Sequence, residues 1–369
     1  MEEKKNEIQA DTTQVTAPTT NIGSKEEVNS PSSTPTNQKE KKQKKKKMPF
    51  ALKVILVLLV VILIFFLAAA GGSWWYLNHK LDKMDYVDIG KEDIEVNSGV
   101  TESLNAYRNI ALLGLDTRDD SFSGSRSDCI IIVSINNKTN DVKLLSIYRD
   151  TYLDIDGYGL DKITHAYAYG GPRLTLSTLN KNLDLNITEF VTVNFETVKT
   201  VVNALGGITI DITSAEATQI PGISKAGKYT LNGDQALAYS RIRKIDTDYK
   251  RTERMRTVLT AVFEKAKARG ISELNELTDV ILPHLSTNIS KNEIISLLPN
   301  IFSYKVTESV GWPYKTQGIT LDRWYGIPIT LESNVKQLHE DLFGETDYSV
   351  SDTVKTISSQ IVKKTGYTN

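Results

Sequence analysis

The 369-residue chain contains one cysteine, four histidines and almost no net charge. A single cysteine excludes any disulfide within the chain, and Cys129, inside the apolar run CIIIVSI, reads as a buried strand residue. With 44 Lys and Arg against 45 Asp and Glu, the formal charge is −1, which excludes a general polyanion-binding character. No internal repeat is visible. Residues 1–50 have few apolar side chains and no periodicity, so they cannot bury enough surface to offset their ordering entropy. A disordered basic tail is expected there, with nothing in it resembling a folded DNA-binding domain.

One long hydrophobic run stands out. From Val54 to Tyr76 there is no charged residue, and about 20 apolar residues suffice to cross a ~30 Å hydrocarbon core. KEKKQKKKK (Lys39 to Lys47) precedes the run, while Trp74, Trp75 and Tyr76 follow it. Positive charge beside a span stays cytoplasmic and aromatic rings suit the interface, so a single transmembrane helix over 51–76 is expected, N-terminus inside. The position of the basic run beside the span favours this over a nucleic-acid patch. A cleaved signal peptide is disfavoured because the apolar stretch and its leader are both too long. An outward-facing domain without disulfides suits a bacterial surface protein.

Residues 77–104 read as an extracytoplasmic connector, 105–345 as the main domain and 346–369 as a polar tail or short helix. NIALLGL (Asn109 to Leu115), CIIIVSI (Cys129 to Ile135) and VKLLSIY (Val142 to Tyr148) read as buried strands. The turn-forming residues Asn136 to Asp141 predict a hairpin between the last two. Leu174, Leu176, Leu179 and Leu183 predict a helix, Glu189 to Phe195 a strand, and Thr197 to Leu205 a helix stopped by Gly206-Gly207. A strand over Ile208 to Ile212 follows, then helices from Asn232-Gly233, over Arg251 to Arg269, and from the capping box Ser290/Glu293 to Phe302. Strands interleaved with helices predict an α/β fold, an α-β-α sandwich around a central mixed sheet.

The charges of this domain gather at strand ends. Asp116 and Arg118 follow the first strand, Arg126 and Asp128 precede the second, and Arg149 and Asp150 follow the third. Antiparallel pairing of the second and third strands brings Asp128 and Arg149 to one sheet edge, within reach of Asp116. Carboxylates hold Mg²⁺ shared with substrate phosphates, and guanidinium groups bind phosphate oxygens bidentately. Arg241 and Arg243 add two cations, and Arg251 and Arg254 lie three residues apart at a helix start that favours anions. The set reads as a Mg²⁺–diphosphate site rather than as scattered surface ion pairs.

GLDTR, RSDCIIIVSI, LLSIYRD, DKITHAYAYGG, NALGGITIDI, LNGDQALAYSRIRK and DYKRTERMR, in this order, resemble the motifs of the LytR-CpsA-Psr family over roughly Asn105 to Arg269. The resemblance implies an extracellular α-β-α domain tethered to the cell membrane. It also implies a phosphotransferase that moves a glycopolymer (wall teichoic acid, capsule or similar) from an undecaprenyl-diphosphate carrier onto a peptidoglycan acceptor. Asp116 and Asp128 match the Mg²⁺ (or Mn²⁺) ligands, and Arg126, Arg149, Arg241, Arg243 and Arg251 the diphosphate-binding arginines, with Lys162 a secondary candidate. Asp116, Arg126 and Arg149 are the candidate catalytic residues. The chain departs from the pattern at Tyr148, where Pro is usual, at Met255, where Gln is usual, and at Lys250, where Gly is common.

The expected chemistry is attack by a peptidoglycan hydroxyl on the sugar-linked phosphorus, with undecaprenyl phosphate leaving; the general base is not identified. The polyprenyl tail needs an apolar slot, for which the helix Thr197 to Leu205 is the expected wall. His165 is the only histidine among the motifs, but a small or polar residue would also serve there. Tyr158, Tyr167 and Tyr169 read as packing near a pocket mouth, and Trp312 and Trp324 as groove or core. The rival readings are hydrolysis of the same lipid diphosphate, a non-catalytic protein that binds lipid-linked polymer, and a regulatory transcription attenuator.

Overall fold

The computed structural model describes residues 72–117, 124–269 and 271–368. The expected span over 51–76 lies outside them except for 72–76, which open a helix over 72–81. Among the described residues no helix is long and apolar enough to cross a membrane.

The strands, in chain order, are β1 (Asp85–Tyr86), β2 (Tyr107–Leu115), β3 (Ser127–Asn136), β4 (Asp141–Ile147), β5 (Tyr152–Ile155), β6 (Gly159–Lys162) and β7 (Glu189–Asn194). They continue with β8 (Ile208–Ile212), β9 (Gly227–Leu231), β10 (Ser286–Thr287), β11 (Lys305–Trp312), β12 (Thr316–Thr320) and β13 (Trp324–Pro328). Seven form one mixed sheet in the order β1-β10-β7-β2-β3-β4-β11. β3 runs antiparallel to both of its neighbours, β2 and β4, while β7 runs parallel to β2 and β11 parallel to β4.

The β3–β4 hairpin forms where the turn chemistry places it. Asn136 Oδ1 accepts from the backbone of Lys138 and Thr139 at 2.9 and 3.2 Å, and Asn140 takes the left-handed conformation that Asn tolerates. Both sheet faces are covered, which explains the near-continuous apolar runs of the central strands. Leu113, Leu115, Ile130, Ile132, Leu145 and Ile147 point into the main core, against the helices Ile163–Leu183, Leu331–Phe343 and Asp352–Thr365. Their neighbours Leu112, Ile131, Val133 and Leu144 face the other way, with Leu259 of the helix Asp248–Lys267 and with Ile294. A third core gathers the β8–β9 hairpin, Val202, Ala236 and Val258.

The helix over 163–183 is longer than the leucine spacing predicts, and it breaks at Gly170–Gly171 before Pro172 begins the second half. Pro has no N–H to donate and its ring suits a first helical turn, and only the half that follows it carries the leucine spacing. Gly206 and Gly207 end the helix Phe195–Ala204 as expected; a side chain at Gly207 would meet the Leu231 carbonyl at 2.9 Å.

The chain ends differ from expectation. Residues 77–104, expected as a connector, contribute β1 to the sheet and Ile94, Val100 and Leu104 to the main core. Residues 346–369, expected as a polar tail or short helix, form the fourteen-residue helix Asp352–Thr365, whose Val354, Ile357 and Ile361 join the same core. Ser351 caps it, and its own N–H donates to Asp184. Ile361→Ala should therefore lower the unfolding free energy by about 2–5 kcal/mol in a denaturant titration. A loose tail would give no measurable change.

Candidate functional site

Continued two residues beyond its last pair, Ile130↔Ile147, the ladder's register brings Asp128 opposite Arg149. Arg149 Nη1 donates to Asp128 Oδ2 at 2.7 Å, the contact expected from antiparallel pairing. The start of the helix Ile163–Leu183 is bonded to both strand ends, Thr164 N donating to the Arg149 carbonyl at 3.1 Å and Thr164 Oγ1 to the Ser127 carbonyl at 3.0 Å. Both strand ends are thus held through their backbone carbonyls by one residue, Thr164.

Around this pair opens a polar cavity of about 600 Å³, lined by Asp116, Gly124, Ser125, Arg126, Asp128, Arg149, Arg241 and Arg243. Four guanidinium groups face two carboxylates, an excess of two positive charges. Arg243 lies 3.7 Å from Asp128 Oδ2 and Arg241 lies 3.5 Å from Asp116 Oδ1. Among the described residues Arg126 makes no ion pair. Burial works against the charge of Arg149, but Asp128, Asp150 and Asp248 outweigh it and raise its pKa, so the cation is secure at any working pH.

Six of the eight sequence candidates therefore meet in one cavity. The other two do not line it. Arg251, 1% exposed, donates to Asp248 at 2.8 Å. Burial holds the Asp248 carboxyl above the usual range; Arg149 and Arg243 pull it down, while Asp150 and Asp128 push it up. Lys162 Nζ is paired with Asp150 at 2.7 Å, and Asp150 lies 3.5 Å from Arg149 Nε. Both candidates reach the cavity only through carboxylates that also feel Arg149.

Arg254 is a buried brace. Its guanidinium donates to Glu216 at 2.7 Å, to Asp246 and to the Ile242 carbonyl, which lies between Arg241 and Arg243. Burial would raise the Glu216 carboxyl, yet the bonds from Arg254 and Thr213 hold it below the usual range. The segment after the helix Gly233–Ser240 is thereby fixed, and Arg241 stacks 4.8 Å above the Phe195 ring. Glu216, Asp246 and Asp248 were not among the sequence candidates. Only Asp248, three residues before Arg251 at a helix start, carries a local signal of its partner.

Successive residues of a strand face opposite ways. Asp128 lines the polar cavity, and the next residue, Cys129, lines a second, apolar cavity of about 160 Å³. Gly114, Phe195, Val198, Val201, Leu259, Val262, Ile281 and Leu285 are among its other walls, so the expected helix supplies Val198 and Val201. A side chain at Gly114 would meet Cys129 Cβ at 2.8 Å, so glycine is required at this close approach. Burial pushes the Cys129 thiol up to about 12, which makes it an inert wall. Met255 also lines this apolar cavity rather than the polar one. Tyr148 lies against Tyr249, ring centroids 4.3 Å apart, and over Gly311, where its hydroxyl would meet an added side chain.

The remaining aromatic and histidine candidates separate cleanly. His165 is buried and bonded through Nδ1 to Asp161 at 2.8 Å. Tyr167 and Trp312 are core residues, Tyr158 and Tyr169 stack on one another at the surface, and Trp324 is exposed. Among the described residues no group of three or more His, Cys, Asp and Glu is arranged to hold a metal. A site of Asp116 and Asp128 alone fits Mg²⁺ that keeps waters and shares phosphate oxygens. Arg149 and Arg243 both approach Asp128 at Oδ2.

The LytR_cpsA_psr family model matches residues 73–325. The polyisoprenyl-teichoic acid–peptidoglycan teichoic acid transferase TagT of Bacillus subtilis (strain 168) is 36% identical over 224 residues, 57% of this chain and 70% of that protein. The transferase TagU of the same organism is 38% identical over 185 residues, 49% of this chain and 60% of that protein. Among solved structures, the family protein YwtF (TagT) with bound octaprenyl pyrophosphate lipid superposes with a TM-score of 0.53 at 28% identity, covering 70% of this chain and 99% of that one.

The geometry separates two kinds of arginine. Arg241→Ala should weaken inorganic pyrophosphate binding in calorimetry by roughly 10- to 150-fold, the loss of one charge-assisted hydrogen bond of about 1.5–3 kcal/mol. Its folding stability should stay within about 0.5 kcal/mol of wild type. Arg251→Ala should instead cost about 3–5 kcal/mol of stability, because it strands the Asp248 carboxylate. The opposite pattern would put Arg251 on the ligand.

Proposed function

The chain belongs to the LytR-CpsA-Psr family, and from that premise we propose that it transfers a glycopolymer from an undecaprenyl-diphosphate carrier to peptidoglycan. The observation that carries this reading is the adjacency of the two cavities, one cationic and one apolar, joined through Asp128–Cys129 on β3 and Phe195–Arg241 across the helices. A polyprenyl diphosphate has the matching halves. Its diphosphate diester carries two negative charges, equal to the excess positive charge of the polar cavity. The named relatives are teichoic acid transferases, and one solved relative holds an octaprenyl pyrophosphate lipid, which supports the same division of labour here. Wall teichoic acid is the donor class those names favour.

Arg149, fixed by Asp128, and Arg243 orient the two phosphoryl groups, while Arg126 and Arg241 take up charge developing on the non-bridging oxygens. A peptidoglycan hydroxyl, the C6 hydroxyl of N-acetylmuramic acid by family resemblance, attacks the sugar-linked phosphorus. A new phosphorus–oxygen ester bond forms, the bond to the bridging oxygen breaks with its electron pair, and undecaprenyl phosphate departs. The hydroxyl proton is lost, so the sugar-linked phosphate ends as a phosphodiester. Asp116 and Asp128 are the residues that would hold Mg²⁺ or Mn²⁺, which would supply further charge neutralisation at the phosphoryl oxygens. Asp248, Asp150 and Arg254 position the arginines without touching substrate. His165, bonded to Asp161, is given no part in the transfer.

The apolar run over 54–70 is read as a membrane span with the domain outside the cell, where a polyprenyl carrier presents its headgroup. The test uses the full chain in lipid nanodiscs with a lipid-diphosphate glycan, peptidoglycan oligomers and Mg²⁺. The expected product is the acceptor-linked phosphodiester, and Arg149→Ala should slow its formation by roughly 30- to 5,000-fold, from a loss of about 2–5 kcal/mol. Release of phosphorylated glycan independent of acceptor would identify a hydrolase instead. No product with a working control enzyme would reject the transferase reading.

A further inference from the structure

The helix over 72–81 is fastened to the body of the domain in an unusual manner for the start of a tether. Lys80, 7% exposed, donates to the Asn275 carbonyl, to Thr278 Oγ1 and, at 2.9 Å, to Asp279 Oδ2. Lys83 takes the other oxygen of Asp279 at 2.8 Å. The Tyr76 hydroxyl donates to Asn275 Oδ1 at 3.0 Å and accepts from Asn275 Nδ2 at 2.8 Å. All of these partners lie on the helix Ile271–Ile281. Holding a long lysine in one geometry costs side-chain entropy, which a flexible linker would not incur.

That same helix borders the apolar cavity. Ile281 and, just beyond, Leu285 form part of its wall, opposite Val198, Val201 and Val262. These five side chains are half-buried, so the cavity opens to the surface between them. Val280, next to Ile281, is exposed, and Trp74, Trp75 and Tyr76 on the clamped helix are exposed as well. In sequence, the uncharged apolar run reaches Ala70, two residues before this helix begins. A segment leaving a bilayer at that point delivers three interfacial aromatics directly to its surface.

We propose that the 72–81 helix is a membrane-surface bracket. It lays Trp74, Trp75 and Tyr76 among the outer-leaflet headgroups, and through Lys80–Asp279 it holds the Ile281–Leu285 wall of the apolar cavity against the bilayer. A prenyl chain then passes from lipid into the cavity without crossing water. The occupant of this surface is the lipid leaflet itself. The inference rests on the anchoring and prenyl-carrier readings above and adds to them a fixed orientation of the cavity mouth.

The full chain is reconstituted in nanodiscs with one added cysteine, Trp75→Cys, Val280→Cys or Tyr158→Cys, each labelled with an environment-sensitive fluorophore. Wild type passes through the same labelling to correct for Cys129. Spin-labelled lipids are expected to quench positions 75 and 280 several-fold more than position 158, an exposed site on the β5–β6 turn. Adding Lys80→Glu should return position 280 to the level of 158 while position 75 stays quenched, and the exchange Lys80→Glu with Asp279→Lys should restore it. Transfer from a long-chain donor embedded in the disc should fall several-fold in Lys80→Glu, with a short-chain, water-soluble donor used as before. Quenching at 75 but not at 280 overturns the bracket and leaves the anchor standing. Absence of quenching at both overturns the anchor reading itself, and an unchanged position 280 in Lys80→Glu removes the clamp from the account.

Discussion

Everything in the polar cavity depends on one cross-strand ion pair. Asp128 enters β3 where its apolar run begins, and Arg149 leaves β4 where its run ends, so the hairpin register sets them face to face. Because side chains alternate along a strand, a slip of one residue would turn Asp128 to the side of Cys129 and empty the cavity of its central carboxylate. The register is therefore a folding constraint and, under the proposed function, a catalytic one as well. It is secured by a hairpin turn at one end and by Thr164 bonding to both strands at the other.

The remaining arginines are arranged around that pair by charges that never enter the cavity. Arg254 is buried, but with Glu216, Asp246 and a backbone carbonyl as partners it is a satisfied charge rather than a liability. Asp248 performs the same service for Arg251. Two buried ion pairs thus flank two exposed cations, Arg241 and Arg243, that line the polar cavity. Such preorganisation matters most for phosphoryl transfer, where charge placement carries the catalysis.

The central hairpin and its charges were legible in sequence because burial on both faces leaves little besides apolar residues, and the first charges mark where the sheet ends. The arginine pair 251 and 254 was legible as a helical face but not in its role. The carboxylate that buries Arg254 lies 38 residues away at Glu216, and no local pattern reports it. β11 is not legible in the sequence because it is an edge strand, largely polar, whose parallel partner β4 is far off along the chain. The helices Leu331–Phe343 and Asp352–Thr365 do carry helical spacing, Leu331, Val335, Leu338 and Leu342 in one and Val354, Ile357 and Ile361 in the other. Their overall polarity masked it, although a narrow apolar stripe is all that a helix on one side of a core requires.

In the proposed function one ligand bridges the two cavities, its diphosphate among Arg126, Arg149, Arg241 and Arg243 and its prenyl chain between the helices Phe195–Ala204 and Asp248–Lys267. An experimental structure of the full chain with a bound prenyl diphosphate measures this directly. Phosphate oxygens are expected within hydrogen-bonding distance of Arg149 and Arg243, and prenyl carbons against Val198, Val201 and Met255. A lipid held elsewhere, or one whose diphosphate contacts Arg251 while the Asp128–Arg149 pair stays closed to it, would contradict the proposed function.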